Sequence, residues 1–243
     1  MLIAWLLVAL AGLAIGATSI GGVLVVPALY RWMGMDIADA MAVSSQAFWW
    51  TGLWALVRLP RLGLDLVRRD SVLLTMALLG AGLGAWLTPQ VPASWIRSWI
   101  GALALTSGVY GLWQARGLSE TAVPRNWPGA PAQGVMGLLV GVGSALSGTG
   151  GPVMLLPLLM LRHCPFERSV QVALVLQVPI ALAATVTHAA AGRLDLGYGV
   201  AVALLLLAAA ETGRRLSRRW PRRVLQAVTA VLLVGTGLWM FLI

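Results

Sequence analysis

Several chemistries are excluded by what the 243-residue sequence lacks. It contains no lysine, one cysteine, two histidines and eight acidic residues. The lone Cys164 excludes an internal disulfide and a cysteine metal cluster. His163 and His188 are too few for a histidine metal centre, and no nucleophile stands beside a base, so the chain is not read as an enzyme and no cofactor is implied. The "GTGG" at 148 to 151 lacks the lysine of a phosphate-binding P-loop, which argues against an ATP-driven pump. The short alternating segments of a transmembrane barrel are also missing.

What remains is strongly apolar. Hydrophobic residues make up 59% of the chain and charged residues 10%, with a mean hydropathy of +0.87. These values lie outside the range of soluble domains and imply an integral membrane protein whose main partner is the lipid bilayer. The net charge of +9 comes from seventeen arginines. They sit in short connections between apolar runs, where arginine sets membrane orientation, so no nucleic-acid partner is inferred. The opening "MLIAWLLVALAGLAIGA" resembles a signal-peptide core but has no basic leader, and a matching segment in the second half argues that it is retained.

Eight hydrophobic segments follow one another, at about 2 to 30, 37 to 57, 70 to 88, 94 to 114, 133 to 161, 168 to 189, 196 to 213 and 222 to 243. They form two sets of four: a first repeat at 1 to 115, a linker at 116 to 132, and a second repeat at 133 to 243. "GLAIGATSIGGVLVVPAL" in the first set answers "GLLVGVGSALSGTGGPVMLLPLL" in the second. "RLGLDL" answers "GRLDLG", aligning Asp65 with Asp195, and "GVYGLW" answers "VGTGLW".

The arginines then constrain the topology. If all eight segments cross the membrane, arginines accumulate on both sides. If the first segment of each set turns back at its glycines, only Arg31, Arg97 and Arg193 lie opposite the rest, as the positive-inside rule requires. Each set then holds three crossings, so the second copy is inverted, and both termini lie outside the cytoplasm. The alternative is a single tilted and kinked span at each glycine motif. The expected fold is an all-α polytopic membrane protein of two inverted repeats, the first segment of each broken as a re-entrant hairpin or discontinuous helix.

Paired glycine motifs, each followed by an aliphatic run and proline, resemble those of the TauE/SafE sulfite exporter family, also called the TSUP family. Gly148, Gly150, Gly151 and Pro157 fit in the second half, with Pro152 in place of the last glycine. Gly21, Gly22 and Pro27 fit in the first, with Ser19 in place of the leading glycine. The resemblance covers essentially the whole chain. It implies a multi-pass protein of the bacterial inner membrane that exports a small sulfur-containing anion, such as sulfite, sulfoacetate or a related organosulfonate. The alternative is a permease or channel for another solute, such as a metal cation or a carboxylate. The oligomeric state, homo-oligomer included, is left open.

A helix interrupted inside the bilayer frees backbone N–H groups and presents a positive dipole end, both of which suit an anion. Ser19, Gly21 and Gly22 in one half and Ser147, Gly148, Thr149, Gly150 and Gly151 in the other are therefore the candidate substrate-binding residues. Close helix packing by small residues is the competing explanation. Ser45, Gln46 and Gln177 on the following spans add neutral donors, with interhelical hydrogen bonding as the alternative. His188 is expected to be interfacial or hydrogen-bonded rather than a proton relay, and Glu211 to pair locally with Arg214 and Arg215. Tryptophans such as Trp32, Trp95, Trp127 and Trp220 fall near segment ends, as an interfacial belt does. Cysteines introduced at positions 1 and 243 should both react with a membrane-impermeant maleimide from outside the cytoplasm. Labelling on opposite sides ends the hairpin topology.

Overall fold

The computed structural model describes residues 1–58, 66–115 and 127–242, apart from the side chains of Gln114, Phe166 and Arg222. Within them the chain is helical, with no strand: α1 Leu2–Thr18, α2 Val25–Trp32, α3 Ile37–Val57, α4 Ser71–Leu87, α5 Ala93–Ala115, α6 Ala130–Ala145, α7 Pro152–Leu161, α8 Phe166–Ala190, α9 Leu196–Leu216 and α10 Arg222–Leu242. Short 3-10 turns lie at Gly22–Leu24 and Thr88–Gln90, and residues 66–69 are also helical. Asp65 and most of the linker expected at 116 to 132 lie outside the described residues. Asp195 caps α9, its Oδ1 accepting from the Tyr198 amide at 3.0 Å.

Both long glycine-containing segments are split, and the chain turns back at each split. The Met1 nitrogen at the start of α1 lies 3.2 Å from the Trp32 carbonyl at the end of α2. Gly21 sits so close to Ala11, Ala14 and Ile15 that a Cβ there would lie 2.7 Å from that of Ala14. In the second half, Trp127 just before α6 meets Arg168 near the start of α8, so α7 returns to the end from which α6 set out. A single kinked span would separate these ends by the thickness of the bilayer.

Ion pairs and ring contacts mark two opposite faces. At one, Arg193 reaches Asp36 and Asp39, and Trp32 stacks on Trp239 at 4.9 Å. At the other, Glu211 holds Arg58 as well as Arg214 and Arg215, and Asp70 holds Trp127 and Arg168. The α1–α2 hairpin enters from the first face and the α6–α7 hairpin from the second.

Packing is reciprocal between the halves. α1 lies along α9 as α6 lies along α4; α3 packs on α8 and α9, and α8 on α3 and α4; α5 packs against α10. Small residues allow this. A Cβ on Gly137 or Gly141 would strike the α4 backbone at Leu73 and Ala77, and one on Gly16 the α9 backbone at Ala210. Gly80 and Gly84 answer from α4, and Gly213 from α9.

The exterior is apolar. Leu79, Trp86, Val186, Leu204, Val231 and Leu238 are all more than half exposed. Trp50 and Trp54 also face outward, so they do not line an internal path. Four helical stretches, Ser71–Gln90, Glu167–Ala190, Leu196–Leu216 and Arg223–Leu242, are long and apolar enough to cross a membrane. Such a surface suits acyl chains and would aggregate in water. Gly141→Leu should therefore lower the melting temperature of the detergent-purified protein by an amount equivalent to about 1–3 kcal/mol. Gly82→Leu, on the neighbouring α4 but with open space around it, should leave it unchanged; equal effects would refute the close-packing account.

Candidate substrate site

The tips of the two hairpins meet inside the protein. α1 ends at Ser19, which is in the left-handed region at φ 61° and donates its amide to the Ile15 carbonyl at 2.8 Å. Ser19 thus caps the helix from the position of the motif's leading glycine. α6 runs out at Leu146, and Gly148, Gly150 and Gly151 follow at φ 62°, 78° and 106°, values that glycine adopts without the Cβ clash. Pro152 then opens α7, where a missing N–H costs nothing.

Gly22 touches both Thr149 and Phe48: a Cβ there would lie 2.9 Å from the Thr149 carbonyl oxygen and 2.8 Å from Phe48 Cζ. A Cβ on Gly150 would lie 3.0 Å from Phe48 Cγ. The Phe48 ring, 2% exposed, is therefore held between the two glycine motifs. The amides of Gly21, Gly150 and Gly151 donate to no acceptor among the described residues. They are the donors that an interrupted helix leaves behind.

The remaining candidates divide. Ser147 bonds to Thr149 side chain to side chain at 2.9 Å, and also donates within its own turn to Gly143 and Ser144. Gln177 donates from Nε2 to the Phe48 carbonyl at 2.9 Å and to Thr51 Oγ1 at 2.8 Å, tying α8 to α3 behind the ring. Ser45 bonds back to Ala42 in its own helix, at 2.9 Å. Gln46 faces Gly199 on α9, its Oε1 buried without a partner. Neither Ser45 nor Gln46 is bonded to a break.

Ser44 does reach one, donating to the Gly148 carbonyl at 2.7 Å. Ser107 on α5 donates to the Val153 carbonyl at 3.3 Å, and the Trp99 indole to that of Gly143 at 2.9 Å. The sequence marks out neither Phe48, an apolar residue on an apolar helix, nor the tethers from Ser107 and Trp99, whereas it does show Ser44 as part of a polar patch. His188 is 2% exposed with Nε2 unpartnered, so it is buried rather than interfacial. Burial pushes the Cys164 thiol above its usual range, which makes it a poor nucleophile.

A family model, the sulfite exporter TauE/SafE family, matches residues 4–240. The chain belongs to this family. TauE/SafE proteins are membrane transporters, and the apolar exterior places this member in a bilayer as a multi-pass protein. No curated protein and no solved structure matches the chain significantly. Among transporters, broken helices whose ends converge within the fold are where substrates are bound.

The two bonds from Gln177 give a direct check on how the junction is held. Gln177→Leu should destabilise the protein by about 1–3 kcal/mol, because it removes the donor to the buried Thr51 hydroxyl oxygen and leaves the Phe48 carbonyl only its contact with Thr51 from a side chain. Gln171→Leu, at a half-buried position one helix face away, should change the thermal midpoint little; comparable losses would show that Gln177 does not anchor the ring.

Proposed function

We propose that this family member exports a small sulfur-containing anion, such as sulfite, sulfoacetate or a related organosulfonate, by alternating access between two inverted repeats. The observation that carries the reading is the meeting of the hairpin tips at Gly22 and Thr149. It aims the N-terminal ends of α2 and α7 at one region, with the unpaired amides of Gly21, Gly150 and Gly151 beside it. Two helix dipoles and free N–H groups in a water-poor interior suit an oxyanion, and glycine lets it approach the backbone.

In this conformation the Phe48 ring fills the junction. In this reading an anion reaches the amides only when the ring moves, which makes this arrangement a closed state and Phe48 its gate. The half-exposed Arg193 pairs on one face and the Arg58 and Arg168 pairs on the other link helices from the two halves, and opening toward either face separates one set. The arginine-rich face is cytoplasmic in this reading, which places both termini outside the bacterial inner membrane. The Thr149 carbonyl at the junction favours the second reading, a cation permease, since carbonyls at broken helices hold cations.

Proteoliposome flux decides between them. Sulfite or sulfoacetate efflux should exceed that of protein-free vesicles and be measured with and without a pH gradient. Gly150→Ala, which sets a methyl against Phe48 in left-handed backbone, should reduce it about tenfold or more. Gly34→Ala, at φ 73° with nothing within 4 Å, carries the same backbone strain and should transport normally. Flux of metal cations without flux of sulfur anions would establish the second reading.

A further inference from the structure

A small polar chamber lies beside the first break, between the end of α1 and helices α5 and α10. Thr18, Ile20, Ser107, Gln226 and Thr229 contribute to its wall, and there is room for about one water-sized occupant. None of these residues belongs to the junction at Thr149 and Phe48.

The wall presents oxygen lone pairs. Thr18 Oγ1 lies 2.8 Å from the Ala14 carbonyl and 3.0 Å from that of Ile20, so its proton is committed to a carbonyl. The Ser107 proton is committed to Val153. Thr18 Oγ1 also accepts from the Ile20 amide at 3.4 Å, so what each hydroxyl has left to offer the chamber is acceptor capacity alone. Thr229 is 6% exposed and its hydroxyl has no partner among the described residues. Thr185 shares this lack, whereas Thr75, Thr88, Thr106, Thr187, Thr212 and Thr236 all bond to the carbonyl four residues back.

The polarity is not a by-product of the repeat. Aligning "GVYGLW" with "VGTGLW" pairs Gly111 with Gly237, and carries Ser107, Thr229 and Gln226 onto Leu233, Leu103 and Ile100. Apolar residues serve wherever the same helix pair needs only packing. The wall also holds no carboxylate to balance a divalent ion and no titratable group to carry a proton.

We propose that this chamber binds a monovalent alkali cation of sodium size, held by Thr18, Ser107 and Thr229 hydroxyl oxygens and the Ile20 carbonyl. The site touches both hairpins. Ile20 is in the first break, and Ser107 holds the carbonyl of Val153 in the first turn of α7. Occupancy therefore stabilises one arrangement of the two tips, which is how a driving ion is coupled to a transported solute.

The test is the thermal midpoint of the purified protein in NaCl, KCl and choline chloride at equal ionic strength. Na+ should raise it saturably, by about 2–4 °C or more above choline. Thr229→Val and Ser107→Ala should each flatten that response, and Thr229→Ser should restore it. Because each variant is compared with itself across salts, a general loss of stability does not obscure the readout. Equal midpoints in all three salts mean a water-filled chamber and overturn the proposal; a response that survives in both variants overturns the placement. The readout is binding alone, so its failure leaves anion export untouched, and absent anion flux leaves the chamber untouched.

Discussion

The structure depends on one constraint: polar backbone cannot be left facing hydrocarbon. A break in a helix at mid-bilayer leaves amides and carbonyls unpaired, each worth several kcal/mol if exposed to lipid. Two breaks that face one another remove that exposure. Here Gly22 and Thr149 cover each other, and α3, α5 and α8 close around them through Ser44, Ser107 and Gln177. Neither hairpin would be tenable alone, so the reciprocal packing of the two halves is a condition of having the breaks at all. The glycines on α4, α6, α1 and α9 serve the same end, since they let the flanking helices approach close enough to seal the tips from the acyl chains.

Much of the architecture was legible in the sequence because it rests on strong signals. Segment 37 to 57 coincides with α3, and the ends of the other apolar runs fall within a few residues of helix ends. The turning back at each glycine motif was readable only through the arginines. Length alone allows 2 to 30 to span once, whereas loops rich in Arg on one face do not. The site was legible less evenly. Gly150 and Gly151 announce a break by their chemistry, but Phe48 is one more apolar residue in an apolar helix. Ser44, Ser45 and Gln46 look like one polar patch in sequence. At about 100° of rotation per residue they point three ways, to the second break, to their own helix and to α9. The chamber is not legible for a related reason, because Thr18, Ser107 and Thr229 are single polar residues in three separate runs.

A nearly symmetric scaffold holds unequal contents, and the inequality extends to its two faces. On the arginine-poor face Arg193 is about one-third exposed and Asp36 and Asp39 about half or more. Pairs in such surroundings contribute about 0.2–1 kcal/mol each, because water solvates the separated partners nearly as well. On the arginine-rich face the Asp70 side chain is 1% exposed and is held by Arg168 and by the Trp127 indole, over whose ring the guanidinium lies at 3.9 Å. Separating a charge so deeply buried from its partner costs about 3–5 kcal/mol unless water enters with the opening. The two sets of pairs therefore resist separation unequally, and in the proposed cycle the Arg193 side would release first. Under the proposed alternating access, something must offset the buried Asp70 latch before the arginine-rich side can open. Hydration of Asp70 during the movement supplies part of that. A ligand that binds one tip arrangement more tightly than the other supplies the rest, and only through that difference in affinity.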